Sequence, residues 1–578
     1  MARLCESAVE EMAIEELQNL GYTYIAGVDL APDAPNPKRK SYSDVLLMER
    51  LQGALFKLNP NIPADVVKGA AQKLSRIATP NLLADNEEFH KMLVNGVPVE
   101  YRENGDIEGD NVHVVDFENP LNNDFLVVNQ YTVVQNNNNK RPDILLFVNG
   151  IPLVVFELKN PADENATCFK AFEQVQAYKA AIPGLFTYNE ICVVSDGLEA
   201  KAGSLTASYS RFSTWKTKDG IKEAPKYTDE LSTLIHGLCA PTTLIDYIQS
   251  FVTYEKTQTE DKETHIVKVE AVKIIAAYHQ YYAVNKAVEQ TIRASGFTTS
   301  AFMSFEDPAK YGLPAAKDQP GGDHKAGVVW HTQGSGKSLS MVFYAGKIVR
   351  KLNNPTILVI NDRNDLDDQL FDTFAGNSDL LRQPPKQADS CEELKTLLKV
   401  ASGGIAFTTI QKFIPDNKAS VYELLSTREN IVVIADEAHR TQYGFNAKLR
   451  NIKENGEVVG QRIAYAFAKY IRDALPNATF IGFTGTPVEK QDANTPAVFG
   501  NYIDIYDIAQ AVEDKVTVRI FYESRLAKVN LTEEGKQLVE QFDSELDEVG
   551  RRSYRCKDEV GKTRSHRRQR GQSQNSCQ

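Results

Sequence analysis

The order of apolar and polar residues predicts a mixed α/β architecture over roughly the first 235 residues. An acidic, amphipathic helix is expected at residues 5–20. Short apolar runs bounded by polar residues predict strands at residues 112–116, 125–134, 143–148, 151–158 and 191–195. Residues 240–292 favour helices instead, in the stretches LIDYIQSFV and VEAVKIIAAYHQYYAVNKAVEQTI.

A different pattern begins near residue 325, where apolar strands alternate with helical stretches. The predicted strands are AGVVWHT, TILVIND, GGIAFTTI, IVVIADEAH and ATFIGFTGT. Strands that alternate with helices predict a parallel, doubly wound sheet. Ligands bind such sheets at the carboxyl ends of the strands, and each of these runs ends in polar residues. We therefore expect the functional groups of this half at one edge of its sheet.

Composition and charge exclude some classes of protein. With 42% apolar and 25% charged residues, the chain has the make-up of a globular protein. It lacks any run of about 18 apolar residues, so we expect no membrane span and no membrane partner. Seven scattered cysteines form no paired metal-ligand motif and favour a reducing, cytoplasmic location. The net charge of −12 argues against a general coating of nucleic acid but leaves local basic grooves open.

The stretch WHTQGSGKSLSM has the composition of a phosphate-binding loop between a strand and a helix. Its core is formed by Gly334, Ser335, Gly336, Lys337 and Ser338. Glycines let backbone N–H groups wrap phosphate oxygens, and the helix N-terminus adds a favourable dipole. Lys337 is expected to neutralise the β- and γ-phosphates, and Ser338 to hold Mg²⁺. Since His331 stands where the strict pattern has glycine, a plain glycine-rich turn is the alternative.

The stretch VVIADEAHRTQYG ends a predicted buried strand on charged residues. Asp436 is expected to bind Mg²⁺ directly or through water, and Glu437 to polarise the attacking water. His439 follows on the turn and is assigned to the nucleotide site. A helix start with solvated acids is the alternative. The phosphate-loop motif lies about 100 residues earlier in alternating α/β sequence, which favours a shared ATP site.

The stretch RPDILLFVNGIPLVVFELKNP, residues 141–161, predicts a second reactive site. Two apolar runs flank an Asn-Gly dipeptide, which is a strong hairpin signal. Folding about that turn places Asp143 opposite about residue 156, beside Glu157, and Lys159 shares a face with Glu157. Two carboxylates that hold Mg²⁺, with a lysine that orients or helps to deprotonate the attacking water and contacts the scissile phosphate, suit metal-assisted hydrolysis of a phosphodiester. An exposed ion pair at the strand end is the alternative.

The motifs of the second half resemble those of superfamily 2 helicase and translocase motors. GSGKS is similar to their motif I, DEAH to motif II, FTGTP to motif III, and TTIQKF to a motif that contacts the DNA backbone. Gln280, in AAYHQYYAV, lies where these motors carry an adenine-reading glutamine, although a glutamine on an amphipathic helix is more often simply exposed. The resemblance implies a RecA-like motor domain that binds ATP and Mg²⁺.

The hairpin resembles the PD-(D/E)xK nucleases, with PD at residues 142–143 and ELK at 157–159 matching their signature. Gln174 and Tyr178, in FEQVQAY, look like the QxxxY element of the RecB-like branch, which implies a catalytic role for both. An upstream helical glutamate often joins such sites, and two candidates are present, Glu6 and Glu10.

A nuclease followed by such a motor resembles the restriction (R) subunit of type I restriction-modification enzymes. Phrases typical of that family include ERLQGALFKLNP, VFELKNP, VVWHTQGSGKS and VIADEAHRTQYG. The resemblance implies an ATP-dependent endonuclease that pumps double-stranded DNA, cuts it with Mg²⁺, and works with modification (methyltransferase) and specificity subunits. The family also carries a loop like RFSTWK at residues 211–216. We interpret it as a link between nuclease and motor, with a surface loop as the alternative.

The resemblance divides the chain into five segments. They are residues 1–235, a PD-(D/E)xK endonuclease domain with a mixed sheet; 236–295, a helical connector; 296–510, the first RecA-like motor domain; 511–550, an incomplete start of a second RecA-like domain; and 551–578, a basic, disordered tail unlike the family. Since the second domain would carry an arginine finger, we expect ATP binding but little DNA-stimulated hydrolysis from this chain alone. Two other interpretations are a helicase–nuclease of DNA repair or anti-phage defence, and a truncated, inert binding module.

Overall fold

The computed structural model describes most of the chain. The described residues are 6–77, 79–103, 106–160, 167–225, 228–260, 267–296, 319–361, 364–388, 390–409, 413, 423–438, 448–454, 457–464, 467–486 and 498–519. Residues 1–518 form one compact unit, and this unit contains all the described helices and strands. Among the helices of these ranges, none combines the length and the apolar character that a bilayer crossing requires.

Helices flank the strands along the whole compact unit. The α-helices are Glu6–Asn19, Met48–Leu58, Ala64–Leu74, Leu82–Asn95, Cys168–Ala181, Pro183–Phe186, Glu230–Leu238, Pro241–Ser250, Tyr278–Ser295, Lys337–Lys351, Asn364–Gly376, Ser378–Leu381, Cys391–Leu398, Phe467–Ala474 and Ile508–Glu513. Short 3₁₀ helices lie at Gly27–Leu30, Pro120–Asn122 and Tyr209–Arg211. The helix predicted at the start of the chain is confirmed, and it buries Val9, Ala13, Ile14 and Leu17, while Met12 is exposed.

The N-terminal part is built on a mixed sheet of six strands. Their spatial order is Thr23–Ala26, Phe125–Asn129, Ile144–Val148, Ile151–Leu158, Ile191–Ser195 and Ala200–Gly203. In this order the first and fourth neighbouring pairs are parallel, and the other three are antiparallel. Every residue of the two central strands is buried, as continuous apolar runs require. The predicted hairpin strands and the strand at residues 191–195 are confirmed.

Two predicted strands differ from the observed ones. The prediction for residues 112–116 is wrong, because the strand that precedes them ends at their first residue. A side chain satisfies the backbone there instead, since Asn149 Nδ2 donates to the Val114 carbonyl over 2.9 Å. The predicted strand 125–134 is split near Gln130, whose φ of 51° breaks the extended conformation.

The second half is built on a parallel sheet of seven strands. Their spatial order is Pro385–Gln387, Ile405–Thr409, Thr356–Asn361, Ile431–Ala435, Thr479–Thr484, Lys325–His331 and Tyr502–Tyr506. All neighbouring pairs are parallel, which confirms the predicted parallel sheet and its five predicted strands. Since these strands run the same way, their carboxyl ends share one edge, where the phosphate loop and the DEAH stretch follow.

Among the described strands, eight pair as four antiparallel hairpins outside the two sheets. They join Val97–Glu103 to Asp106–Val112, Val133–Gln135 to Asn138–Lys140, Val252–Glu260 to Val267–Ile275, and Lys448–Glu454 to Glu457–Ala464. The third hairpin shows that the predicted helix over residues 269–275 is wrong, although the helices on either side are confirmed. In the first five residues of this strand, VKVEA, apolar and charged residues alternate with period two, which is the spacing of a strand. Its buried Lys273 also pairs with Glu190 of the N-terminal part at 2.8 Å.

Substitution of Gly150 tests whether the turn of the central hairpin can accommodate a side chain. Its φ of 80° is left-handed, and a Cβ would lie 2.6 Å from the Leu47 carbonyl oxygen. We expect Gly150→Ala to lower the free energy of unfolding by about 2 kcal/mol, because backbone strain and a steric clash add. In the control Gly53→Ala, the new Cβ meets nothing within 4 Å, so the melting temperature should stay the same or rise. Equal melting temperatures for both variants in thermal unfolding would contradict the clash.

Candidate functional site

A β-bulge in the central hairpin sets the position of Asp143. Ile144 pairs with Phe156, because one extra residue, Leu153, is accommodated nearer the turn. Continuing this register places Asp143 opposite Glu157, not opposite residue 156 as predicted. The difference matters because a one-residue shift in a strand moves a side chain to the other face of the sheet. The bulge thus puts the two carboxylates on the same face.

The two carboxylates are buried at the end of the strand. Asp143 and Glu157 expose only 6% and 2% of their surface. Asp143 Oδ2 accepts a hydrogen bond of 2.7 Å from the Leu158 backbone N–H, and Glu157 Oε1 lies 2.5 Å from Lys159 Nζ. Glu157 Oε2 is buried and has no hydrogen-bond partner among the described residues. The three predicted side chains therefore lie together, and they do not form an exposed ion pair.

Burial changes the proton affinity of this cluster. It raises the pKa of Asp143 to about 6, and burial followed by the charge of Asp143 raises the pKa of Glu157 to about 8. Burial lowers the pKa of Lys159, but the charge and hydrogen bond of Glu157 together with the charges of Asp143 and Glu6 outweigh this effect and hold the pKa above its usual value. When both carboxylates are deprotonated, they and the Lys159 ammonium leave one net negative charge in the site, which a bound cation would compensate.

The donor set fits a hard divalent cation. Mg²⁺ prefers oxygen ligands and often binds through one or two carboxylates, while water and phosphate fill the other positions. Asp143 and Glu157 supply such oxygens, and Glu157 Oε2 has no competing partner among the described residues. No group of three His, Cys, Asp or Glu side chains in the described ranges is arranged to hold a metal. A cation at this place would therefore depend on these two carboxylates.

The helix Cys168–Ala181 places Tyr178 beside the cluster. Tyr178 is buried, and its Oη donates to the Arg141 carbonyl over 3.4 Å. Burial and then the charge of Glu157 raise its pKa, so the hydroxyl keeps its proton next to the carboxylate. Gln174 is half-buried one turn earlier and interacts with the Tyr178 side chain. The structure thus brings both predicted QxxxY residues to the rim of the cluster.

The sequence analysis missed two amides next to the carboxylates. Asn129 Nδ2 and Gln130 Nε2 donate to the two carboxylate oxygens of Glu10, over 2.6 and 2.7 Å. Glu10 is buried, whereas Glu6 is exposed, although the charges of both reach Asp143. The available signal was the polar pair that ends the apolar run FLVV.

The loop after the strand that ends in VVWH has the backbone of a phosphate-binding loop. Gly334 and Gly336 have φ values of 88° and 83°, a left-handed conformation that glycine adopts without steric cost. Helix Lys337–Lys351 begins directly after them, so its first N–H groups have no partners within the helix. Ser335 points inward, and its Oγ donates to the Thr332 carbonyl over 2.6 Å. The loop therefore presents backbone donors at the edge of the sheet.

Lys337 lies between the two acids of the DEAH stretch. Its Nζ is 2.9 Å from Asp436 Oδ1 and 2.7 Å from Glu437 Oε1. Burial lowers the pKa of Lys337, but the two negative charges outweigh this effect and raise it. Ser338 follows in the first helical turn. The acids are therefore ion-paired beside the loop, and the arrangement has the groups that a Mg²⁺-triphosphate requires.

Gln280 is buried against the phosphate loop, so the alternative of a simply exposed residue is wrong. Its Oε1 accepts a hydrogen bond from the Ala277 N–H at 2.9 Å, and its Nε2 donates to the Gly336 carbonyl at 3.0 Å. The neighbouring His279 contacts the loop as well, since its Nε2 lies 3.1 Å from the Ser335 carbonyl oxygen. The first residues of helix Tyr278–Ser295 thus contact the backbone of the phosphate loop.

His331 shows why the loop departs from the strict glycine pattern. Its ring is buried, and its Nε2 lies 3.0 Å from Asp504 Oδ2. The other oxygen of Asp504 lies 2.7 Å from Lys286 Nζ. His331 therefore ties the strand before the loop to the neighbouring edge strand, Tyr502–Tyr506, and glycine could not make this contact.

The segment 211–216 packs against elements of the second half. Trp215 is buried, and its ring meets that of Tyr282 at 5.8 Å in an edge-on arrangement. Lys216 Nζ lies 2.5 Å from Asp514 Oδ1. These contacts favour a link between the two halves over a surface loop.

Some predicted motif residues lie outside the described residues: His439, Arg440, Pro487 and residues 410–412. The described part of FTGTP approaches the phosphate loop, since a Cβ on Gly485 would lie 3.6 Å from the Gln333 backbone nitrogen.

Two protein families match this chain. Type I restriction enzyme R protein N terminus matches residues 3–211, and SWI2/SNF2 ATPase matches residues 279–553. The first range contains the carboxylate hairpin, and the second contains the phosphate loop and the DEAH stretch.

Whole proteins with similar sequences carry related names. The type I restriction enzyme HindI endonuclease subunit of Haemophilus influenzae is 42% identical over 564 residues, which are 96% of this chain and 50% of that protein. A Methanocaldococcus jannaschii protein, assigned as the MjaIXP endonuclease subunit, is 35% identical over 94% of this chain and 48% of its own length. The chain thus spans about half the length of these relatives.

One solved structure aligns with part of the chain. A fragment assigned to the HsdR subunit of a type I restriction enzyme from Vibrio vulnificus YJ016 aligns with 67% of this chain and 56% of that chain at 18% identity. Its TM-score of 0.23 is too low to establish a shared fold.

Metal binding by Asp143 and Glu157 should depend on pH. Carboxylates bind a cation in their deprotonated form, and the pKa values of this pair lie near 6 and 8. Mn²⁺ affinity should therefore increase from pH 6 to pH 8, by about tenfold per pH unit while one proton must be lost. Isothermal titration calorimetry on an Asp436→Asn background, which removes an acid of the other site, measures this. The additional change Glu157→Gln should remove most of the pH dependence, and a flat affinity before that change would contradict the assignment.

Proposed function

Because the chain belongs to the family of type I restriction enzyme R proteins, we propose that it is a restriction subunit, in which an ATP-driven motor moves double-stranded DNA and a nuclease cleaves it. The observation that carries this proposal is the meeting of Asp143, Glu157 and Lys159 at one buried strand end. The phosphate-loop lysine, which meets the two DEAH acids in the same compact unit, supports the motor.

The N-terminal part would be a PD-(D/E)xK nuclease domain, in which Asp143 and Glu157 hold Mg²⁺. The bound cation would supply Lewis acidity that activates water and stabilises charge on the scissile phosphate. Although burial lowers the pKa of Lys159, the surrounding carboxylates together raise it above its usual value, so the side chain stays an ammonium. Lys159 therefore binds a phosphate oxygen and does not take the proton of the attacking water. Tyr178 and Gln174 orient the carboxylates from the adjoining helix.

The parallel-sheet half would be a RecA-like motor domain that binds ATP at the phosphate loop. Lys337 contacts the β- and γ-phosphates there, and Ser338 and Asp436 hold Mg²⁺. Glu437 polarises the attacking water, and Gln280 keeps the loop in shape beside the adenine. His439 belongs to the same proposed site.

Double-stranded DNA is the proposed substrate, and modification (methyltransferase) and specificity subunits are the proposed partners. The names of the relatives as type I endonuclease subunits support both. A cytoplasmic location and the division at residues 235, 295 and 510 belong to the same proposal.

Cleavage of plasmid DNA tests the nuclease assignment. We expect Lys159→Ala to reduce Mg²⁺-dependent nicking of supercoiled plasmid by about 100-fold, because a donor to the developing charge is lost. Lys170→Ala is the matched control, since Lys170 is an exposed lysine paired with Glu173 on the adjoining helix. Gel quantification of nicked plasmid with the full chain compares the three proteins. Equal nicking by wild type and Lys159→Ala would refute the assignment.

Binding of a fluorescent ATP analogue tests the motor assignment separately. Lys337→Ala should weaken binding by about tenfold to a hundredfold, since charge-assisted contacts contribute about 1.5–3 kcal/mol. The exposed Lys386→Ala should bind as the wild type does. Unchanged affinity in Lys337→Ala would remove the phosphate loop from the proposal and leave the nuclease result untouched.

A further inference from the structure

Gln130 has a backbone conformation that its residue type rarely adopts. Its φ of 51° lies in the left-handed region, and such outliers cluster at functional sites. The backbone is tied in place there, since the Gln130 N–H donates to the Asp143 carbonyl over 2.9 Å. Gly27 leaves the necessary room, because a Cβ at that position would lie 2.7 Å from the Gln130 carbonyl oxygen. Two neighbouring segments therefore support this conformation.

The conformation directs the Gln130 amide to two carboxylates at once. Nε2 donates to Glu10 Oε2 over 2.7 Å and to Asp143 Oδ1 over 3.4 Å. The other oxygen of Glu10 accepts from Asn129 Nδ2 over 2.6 Å. Tyr24 Oη donates to Asn129 Oδ1 over 3.1 Å, which orients that amide with its nitrogen toward Glu10. Amides therefore hold both oxygens of the buried Glu10.

This arrangement separates Glu10 from the carboxylates that would hold the metal. Short amide hydrogen bonds hold both oxygens of Glu10, whereas Asp143 Oδ1 has only the long contact of 3.4 Å with Gln130, and Glu157 Oε2 has no hydrogen-bond partner in the described part of the chain. Because the Gln130 amide lies between them, the Glu10 carboxylate can orient Asp143 without binding the cation itself. Groups placed in this way commonly change metal affinity by about 10- to 100-fold.

We propose that Gln130 is a positioning residue of the nuclease site, which connects Glu10 to Asp143 and so fixes Asp143 Oδ1 for the cation. The inference rests on the proposed metal-dependent nuclease. It assigns the supporting role to Glu10 and not to the exposed Glu6, and it requires that Glu10 acts through Gln130.

Binding of Mn²⁺ to the full chain tests the proposal. Isothermal titration calorimetry is carried out in the Asp436→Asn background, which removes an acid of the motor site. Gln130→Met and Gln130→Gly both remove the amide, and the glycine also relieves the left-handed backbone. We expect both to weaken Mn²⁺ binding by about tenfold. Gln135→Met, which removes an amide from the adjacent hairpin, should keep the Mn²⁺ affinity of the background protein. Its melting temperature is the reference with which those of the two Gln130 variants are compared.

A double-mutant cycle distinguishes positioning from a purely structural role. Glu10→Gln should weaken binding about as much as Gln130→Met, and the combined variant should show no further loss because both changes break one link. Additive losses, or a Gln130→Met affinity equal to that of Gln135→Met, would overturn the inference while the metal site stands. If Glu157→Gln binds Mn²⁺ as tightly as the background protein, the proposed metal site itself is refuted, and the inference with it.

Discussion

Charged side chains at the ends of buried strands are the constraint on which this structure depends. A carboxylate removed from water is unstable unless another charge or strong hydrogen bonds compensate it. The chain meets this requirement twice with the same set of groups, two acids and one lysine. The sets are Asp143, Glu157 and Lys159 in the mixed sheet, and Asp436, Glu437 and Lys337 in the parallel sheet. In both sets a bound cation can take over the charge compensation that the lysine provides.

The orientation of these acids and lysines depends on backbone conformation as much as on their position in the sequence. The bulge at Leu153 turns Asp143 to the face of Glu157. Gln130, which contacts the first set, has a left-handed φ of 51°, and Glu437, a member of the second set, has a left-handed φ of 50°. Non-glycine residues adopt this conformation at a cost, which the surrounding contacts must offset. The two sites are therefore held by their neighbours and are not simply properties of the strands.

Buried polar contacts join the two halves within one compact unit. Lys273 lies in the hairpin that precedes helix Tyr278–Ser295, and its Nζ is 2.8 Å from a carboxylate oxygen of Glu190. Both side chains are fully buried. His90 lies 3.1 Å from the same carboxylate. Removing one partner of such a buried pair is strongly destabilising, because a charge would remain unpaired. Together with the Lys216–Asp514 pair, this contact makes the packing of the two halves specific.

The sequence by itself determined the features that depend on local spacing: the parallel sheet, the hairpin at its Asn-Gly turn, and the residue types at both strand ends. Only the tertiary structure decided the register that faces Asp143 toward Glu157, since a bulge is not visible in the spacing. It also decided that Lys273 is buried, because its partner Glu190 lies 83 residues away. The contacts of Gln130 with Glu10 and of Gln280 with Gly336 also join residues that are far apart in the sequence. Periodicity reports which residues are neighbours along one element, whereas such contacts depend on how separate elements pack.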